Sequence, residues 1–156
     1  MKNHVIIISR KFPVSHRKSN KATFFLARIL SGRKIHTIRQ NYPFWEKRIK
    51  EVQEGKAVLS VREWTGIPYK SKQRELFKFT KENEVGIEKL VFRHTLLKPI
   101  VEGKPVSIKA LARHDGLSTV DFVNWFASYD QKEDLAIIHF TNYRYAKDHR
   151  SAFEPI

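Results

Sequence analysis

The chemistry of this chain is concentrated in residues 32–39, a segment rich in side chains that bind or react with anions. Its polar members are Arg33, Lys34, His36, Thr37 and Arg39. The first 45 residues, which include this segment, hold ten Lys or Arg and no Asp or Glu, whereas the other 111 hold twenty basic and sixteen acidic residues. Most of the formal net charge of +14 therefore lies in the first third of the chain. This asymmetry predicts a site for an anionic partner, of which nucleic acid is the commonest.

The residues of this segment have competing interpretations. The guanidinium of Arg39 is planar and suits a phosphate or a base edge, but it could equally form a structural salt bridge. Lys34 either lines a partly buried cleft, where desolvation would lower its pKa, or is a solvated residue that follows a helix. Arg33 is a further candidate contact to nucleic acid, and His36 is expected on the surface of a strand.

Two other segments supply candidate contacts to nucleic acid. Residues 10–21 form a predicted loop without local acids, so its cations are candidate phosphate contacts. They are Arg10, Lys11, Arg17, Lys18 and Lys21. In residues 69–74 the ring of Tyr69 could stack on a base while Lys72 and Arg74 contact phosphates. Both compositions are also common in exposed loops that bind nothing.

Hydrophobic patterning predicts the elements that position these residues. Six short strands are predicted at residues 5–9, 34–39, 57–64, 76–81, 85–94 and 135–145. Three or four helices are predicted around them, at residues 23–31, 43–54, 107–116 and 118–127. Thr23 is expected to cap the first helix. The apolar face of that helix is predicted to comprise Phe24, Phe25, Ile29 and Leu30.

The order of these elements predicts the fold class. Strands and helices do not alternate strictly, which argues against a doubly wound parallel sheet. The sequence instead predicts an α+β fold: a small barrel of about six mostly antiparallel strands with peripheral helices. A length of 156 residues fits one domain spanning residues 1–156.

Several classes of site and location are disfavoured by composition. The chain has no cysteine, so a disulfide framework and a thiolate metal site are excluded. Its seven histidines show no close pair at metal-ligand spacing, and no nucleotide-cofactor fingerprint is present, so neither a metal nor a cofactor is expected. No apolar run approaches the length of a membrane span. The sequence therefore predicts a cytoplasmic protein without a membrane partner, and it does not specify an oligomeric state.

Three parts of the chain together resemble the ASCH family, a branch of the PUA-like superfamily. The most specific is the end of the first helix, Ile29-Leu30-Ser31-Gly32-Arg33-Lys34, followed by Ile35-His36-Thr37-Ile38-Arg39. The other two are the predicted strand at residues 57–64 and the segment at residues 112–118. The resemblance spans most of residues 5–145. It implies a small PUA-like β-barrel with a cleft beside the lysine.

The resemblance also implies a reaction. Small bacterial enzymes of this kind remove the acetyl group from N4-acetylcytidine with a Lys, a Thr and a Glu. Lys34 and Thr37 match the first two, and Asp115 stands where the family has Glu. In such a site Lys34 would take the proton of the Thr37 hydroxyl, and Asp115 would orient Lys34 or carry a proton to the leaving amine. Asp115 is one methylene shorter than Glu, and this difference argues mildly against the reaction.

Three functions remain open at this point. The first is a binding module that holds RNA or a modified nucleotide in a basic cleft beside Lys34, Thr37 and Arg39. The second is an amidohydrolase that acts on an N4-acylated cytidine through Lys34, Thr37 and Asp115. The third is a structural or phage-type accessory protein with a vestigial cleft. The basic loop at residues 10–21 favours a polymer over a free nucleoside.

Overall fold

The computed structural model describes residues 1–147, which form an α+β fold of eight strands and four α-helices. The strands are β1 (Lys2–Ile7), β2 (His36–Arg39), β3 (Ala57–Trp64), β4 (Gln73–Phe79), β5 (Gly86–Val91), β6 (Ile100–Val101), β7 (Lys104–Pro105) and β8 (Leu135–His139). The helices are α1 (Phe25–Leu30), α2 (Tyr42–Gln53), α3 (Ile108–His114) and α4 (Thr119–Phe126), and a 3-10 turn covers Lys81–Asn83. No helix within residues 1–147 has the length and apolarity needed to cross a membrane.

The strands form two sheets. The first has the order β1-β3-β4, in which β1 and β3 are parallel and β3 and β4 are antiparallel. The second has the order β2-β8-β5-β6-β7 and is antiparallel throughout. β8 lies between β2 and β5, and every one of its residues is buried. This central position carries β2, and with it the polar segment of the sequence, into the interior.

The prediction of six strands in one barrel requires correction. Within residues 1–147 no strand of one sheet pairs with a strand of the other, so the sheets do not close into a barrel. The count rises to eight because β6 and β7 contain two residues each, too few to leave a hydrophobic pattern. The last strand is shorter than the predicted 135–145, because the chain leaves the sheet after His139.

Helix α2 joins the two sheets. It packs against β3 of the first sheet and against β5 and β8 of the second. Its inward face carries Ile49 and Val52, which are fully buried, and Trp45, which is partly buried. Burial of an aliphatic side chain of this size contributes about 1.5–3 kcal/mol, so α2 holds both sheets in one core.

Helix α1 differs from its prediction. The hydroxyl of Thr23 does not act mainly as a cap, because it donates to Ser9 O at 2.7 Å. Phe24 stands at the N-cap in the left-handed conformation, with φ of 61°. Only Phe25 of the predicted apolar face is buried, whereas Phe24 and Leu30 are exposed. The error arises because α1 is only six residues long and packs against the core through Phe25 and, in part, Ile29, which is too short a contact to define a whole apolar face.

Candidate functional site

Lys34 is enclosed in the protein interior. It follows α1 after Gly32, whose φ of 77° turns the chain back toward the sheet. Its ammonium Nζ donates to Asp115 O at 2.8 Å and to Asp115 Oδ1 at 3.1 Å. It also lies 4.2 Å from the centroid of the Phe25 ring. Only 1% of the side chain is exposed, so Lys34 is a buried cation with defined partners.

The approach of Asp115 to Lys34 depends on a glycine. Asp115 ends α3, where its N–H donates to Leu111 O at 3.1 Å. Gly116 follows with φ of 80°, a conformation that disfavours residues with a Cβ. A Cβ on Gly116 would lie 3.1 Å from Cβ of Lys34. The glycine therefore lets the backbone after α3 rest directly against the lysine side chain.

Burial sets the electrostatics of this pair. Desolvation lowers the pKa of Lys34, and the nearby Asp115 carboxylate offsets part of that shift. For Asp115, burial alone would raise the pKa, but Lys34 and His36 outweigh it and hold the pKa below its ordinary value. The carboxylate is thus kept ionised by its neighbours, while the lysine is easier to deprotonate than a lysine in water.

Thr37 and Arg39 line a small cavity beside this pair. The cavity is also lined by Lys34 and Asp115, and it has room for only about 20 Å³. That space is enough for about one water molecule. Arg39 is half-buried and donates to the backbone oxygens of Ile7 and Ile38. Within residues 1–147 the Thr37 hydroxyl makes no hydrogen bond to another group, so it remains available to whatever occupies the cavity.

A cluster of histidine and tyrosine side chains lies behind the carboxylate of Asp115. His36 Nδ1 stands 3.4 Å from Asp115 Oδ1, which is a close contact rather than a formed hydrogen bond. Its Nε2 is 2.7 Å from Oη of Tyr145, which is 3.1 Å from His114 Nδ1. Burial lowers the pKa of His36 and of His114 to about 4, so both rings are neutral near pH 7.

The same cluster holds the chain after β8. The buried carboxylate of Glu88 lies 2.8 Å from His139 Nε2 and accepts the backbone N–H groups of Tyr145 and Ala146 at 2.8 and 3.0 Å. The expectation that His36 lies on a strand surface is wrong, because β2 is covered on both faces. This cluster has only a weak signal in the sequence: His36 begins β2 and His139 ends β8, and the two are opposite each other in the antiparallel pair.

The predicted basic loop is tied to α4. Arg17 and Lys18 bind the two carboxylate oxygens of Asp121, at 2.9 and 2.7 Å. His16 Nε2 is 2.9 Å from Asp121 O. Arg10 Nη1 donates to Thr65 O at 3.2 Å. These cations therefore have structural partners, and Asp121 is the anchor of the loop.

Other predicted contact residues are not tied down. Within residues 1–147, Lys11, Lys21 and Lys72 form no salt bridge or side-chain hydrogen bond. The same holds for the side chain of Arg33. Tyr69 is 88% exposed and its ring lies 5.1 Å from that of Trp64.

Arg74 differs from these residues because it pairs with Glu63 on the neighbouring strand. The structure therefore separates the predicted residues into an interior group around Lys34, a loop group beside α4, and a third group near residues 69–74. Of these residues, Lys34, Thr37, Arg39 and Asp115 line the Lys34 cavity.

Metal binding has no support in the described part of the chain. Residues 1–147 contain no group of three or more His, Asp or Glu side chains placed to hold a metal ion. No family model, curated protein or solved structure matches this chain. The function of the site therefore has to be inferred from its own geometry.

Proposed function

We propose that the protein binds single-stranded RNA on a basic surface formed by Lys11, Lys21, Arg28 and Arg33. One observation carries the proposal: four neighbouring cations from the acid-free part of the sequence form no salt bridge with any carboxylate of residues 1–147. Cations left without carboxylate partners are available to the phosphates of a nucleic acid, whose binding releases condensed counterions.

The members of the basic surface adjoin one another. Lys11 pairs with Ala22 in an isolated β-bridge, so its backbone lies next to that of Lys21. Arg28 and Lys21 line the same pocket. The N–H of Arg33 donates to Arg28 O at 2.9 Å, so the two residues adjoin. Burial lowers the pKa of Arg28, and the charge of Arg33 lowers it further.

The basic surface also reaches the Lys34 cavity. The guanidinium of Arg28 donates to Gly116 O, one residue after Asp115. A strand bound to the basic surface would therefore pass beside the small cavity.

A cytoplasmic location and a PUA-like fold belong to the same proposal. Support for that fold comes from the Lys34 and Asp115 contact and from Thr37 in their cavity, which match the arrangement that the sequence resemblance implies.

The test is a salt titration of binding to a fluorescently labelled single-stranded RNA of about 12 nucleotides, followed by anisotropy. The expected plot of log affinity against log salt is linear and steep. The double variant Lys21→Ala/Arg33→Ala should reduce its slope by about 1.4, since each lost phosphate contact on a single strand contributes about 0.7. The proposal is ruled out if no RNA binds at low salt, or if the affinity for RNA does not change with salt concentration.

A matched control distinguishes this surface from general charge. Lys47 and Lys50 are exposed on α2 and form no salt bridge within residues 1–147. The double variant Lys47→Ala/Lys50→Ala removes the same charge from α2, outside the basic surface. It should leave the slope nearly unchanged. An equal loss in both double variants would mean that net charge, and not this surface, determines binding.

A second candidate function has its own observation. Lys34, Asp115 and Thr37 meet at one cavity, and burial lowers the pKa of Lys34, which makes its amine easier to deprotonate for use as a general base. In the proposed hydrolysis the Thr37 oxygen attacks the acetyl carbon of N4-acetylcytidine as Lys34 takes its proton. The C–N bond breaks, the departing amine receives that proton, and water then releases acetate from the threonine ester.

The volume of the cavity argues against this reaction in the present conformation, because about 20 Å³ does not admit a nucleoside. The reaction therefore requires the cavity to open. Acetate release from N4-acetylcytidine by the wild-type protein, its loss in Thr37→Ala and its retention in Thr37→Ser would support the hydrolase. No turnover at high enzyme concentration eliminates it and leaves the RNA proposal intact.

A further inference from the structure

A second pocket opens on the basic surface and is far larger than the Lys34 cavity. This wide pocket measures about 460 Å³, against about 20 Å³ beside Lys34. Its lining combines aromatic rings with cations: Phe12, Lys18, Lys21, Ala22, Phe24, Arg28 and Asp121. A volume of this size is typical of sites that hold a small molecule or one residue of a polymer.

An exposed aromatic ring forms one wall of the wide pocket. Phe24 is 63% exposed, although a phenylalanine is normally buried. It also has φ of 61°, a conformation that a residue with a bulky side chain rarely adopts. Its backbone oxygen is held by the N–H of Arg28 at 3.0 Å. The fold thus keeps an unpacked ring on the surface at a cost in backbone strain, which points to a role for the ring outside the core.

The charges of the wide pocket favour an anion. Asp121 is its one carboxylate, and both of its oxygens are already bound, by Arg17 and Lys18. The ammonium of Lys21 has no such partner within residues 1–147. Arg28 donates to a backbone oxygen and forms no salt bridge within residues 1–147, although the charge of Asp121 acts on it from nearby. The charges of Lys21 and Arg28 therefore exceed what the shared carboxylate offsets, in a pocket that also contains Phe12 and Phe24.

The walls of the wide pocket are already ordered without a ligand. Phe12 N–H donates to Lys21 O at 2.9 Å, and Asn20 N–H donates to Phe12 O at 3.2 Å. Phe12 is buried against Trp125, with ring centroids 5.7 Å apart. These contacts fix the loop that carries Lys18 and Lys21. Little ordering entropy would be lost when a ligand enters.

We propose that the wide pocket holds one nucleotide of single-stranded RNA, with its base against Phe24 and its phosphate on Lys21 and Arg28. This inference rests on the proposed RNA binding and specifies where a base is held. It places the base in the wide pocket and leaves the Lys34 cavity for a water-sized group. Base stacking on an exposed ring is tolerant of sequence, so little base preference is expected.

The ring can be removed without harming the fold. Asn is among the residues that best tolerate the left-handed conformation, so Phe24→Asn keeps the backbone and removes the stacking surface. It should weaken RNA binding by about 5- to 150-fold, the range for loss of one base stack. Phe24→Trp keeps an aromatic ring at this position and should bind RNA at least as tightly as the wild-type protein. Leu30→Asn is the matched control, since Leu30 is 69% exposed on the same helix and does not line the pocket.

An abasic oligonucleotide separates the two proposals. It has the phosphates of the RNA without its bases, so it should bind the wild-type protein as weakly as RNA binds Phe24→Asn. Its affinity should be the same for both proteins. If RNA binds with a steep salt dependence but neither Phe24→Asn nor the loss of bases weakens it, the wide-pocket inference is overturned while RNA binding stands. If no RNA binds, both proposals fail.

A polyglutamate peptide serves as the competing occupant. The pocket would be a site for acidic protein segments if two results were found. The peptide would displace the RNA at equal charge concentration, and Phe24→Asn would bind the peptide as tightly as the wild-type protein does. The expected result is weak competition, because a peptide of this composition offers no ring to stack on Phe24.

Discussion

The buried pair of Lys34 and Asp115 gives the sharpest test of the structure. The substitution Asp115→Asn preserves the shape of the side chain and removes its negative charge. The ammonium of Lys34, with 1% of its side chain exposed, would then keep only the backbone oxygen and the Phe25 ring as partners. Removal of one member of a buried ion pair costs about 3–5 kcal/mol.

For a protein of this length that loss corresponds to a decrease in Tm of about 6–20 °C. Urea unfolding followed by circular dichroism measures the free energy directly. The double variant Lys34→Met/Asp115→Asn removes both charges and should recover at least about 2 kcal/mol relative to the sum of the two single variants. If the double variant loses as much stability as the two single variants together, the two groups do not interact.

The pH dependence of the variant has a definite sign. Because the pKa of Lys34 is lowered in the folded protein, the unfolded chain binds more protons between that pKa and 10.5, and stability rises with pH across this window. Loss of the carboxylate lowers the pKa of Lys34 further, so the window begins at lower pH in Asp115→Asn. The gap in stability between wild type and variant should therefore narrow from pH 7 to about pH 10. A gap that is constant with pH refutes the assignment of the lost stability to a buried ammonium.

Three further predictions concern the surroundings of this pair. Gly116→Ala should destabilise the protein by more than Gly32→Ala in thermal unfolding. Both glycines have positive φ, which costs a residue with a Cβ about 1–2 kcal/mol, but only at Gly116 would the Cβ press on Lys34. Equal losses of stability in the two variants would contradict the packing argument. The pKa of His36 is about 4 in the folded protein, against an ordinary value of 6.5. On the order of 3 kcal/mol of stability should therefore be lost as pH falls from 6.5 to 4. An NMR signal of the His36 imidazole that titrates near 6.5 would disprove this prediction. Glu88→Gln should cost about 1–3 kcal/mol in urea unfolding at neutral pH, since a buried charge-assisted acceptor is lost. The cost should decrease as pH falls below about 4.5, because the pKa of Glu88 is lowered in the folded protein and the unfolded chain therefore takes up the proton first.

The parts of the fold that depend on neighbours in sequence could be predicted. The limits predicted for β3 are those observed, and α2 is displaced by one residue at each end. Ser107 and Ser118 accept the backbone N–H of the residue three positions later, as their helix-cap pattern predicts. Such signals are local, because a cap or a turn needs only a few adjacent residues.

Contacts between distant residues could not be predicted in the same way. Thr23 was expected to cap a helix, but its hydroxyl binds Ser9 O, fourteen residues earlier. His36 was expected on the surface of a strand, yet β8 and the chain after it enclose the ring. In both cases the preference of the residue is general, and the contact partner is decided by the tertiary packing of another element.

The candidate site shows the same division. The acid-free opening of the sequence identified a basic segment, and the resemblance to a known family selected Lys34, Thr37 and Asp115. Nothing in the sequence indicated that Phe24 would be exposed, because it lies among apolar residues of a predicted helix. The wide pocket exists because the loop before α1 and the helix α4, distant in sequence, are joined at Asp121.

That junction also affects how the chain emerges during synthesis. Arg17 is bound to Asp121, 104 residues later. A ribosome adds about 5–20 residues per second, so the loop waits about 5–20 s for its anchor to be made. Throughout this interval the positively charged amino-terminal third lies next to ribosomal RNA without its contact to Asp121. The loop can reach its final conformation only when α4 has left the exit tunnel.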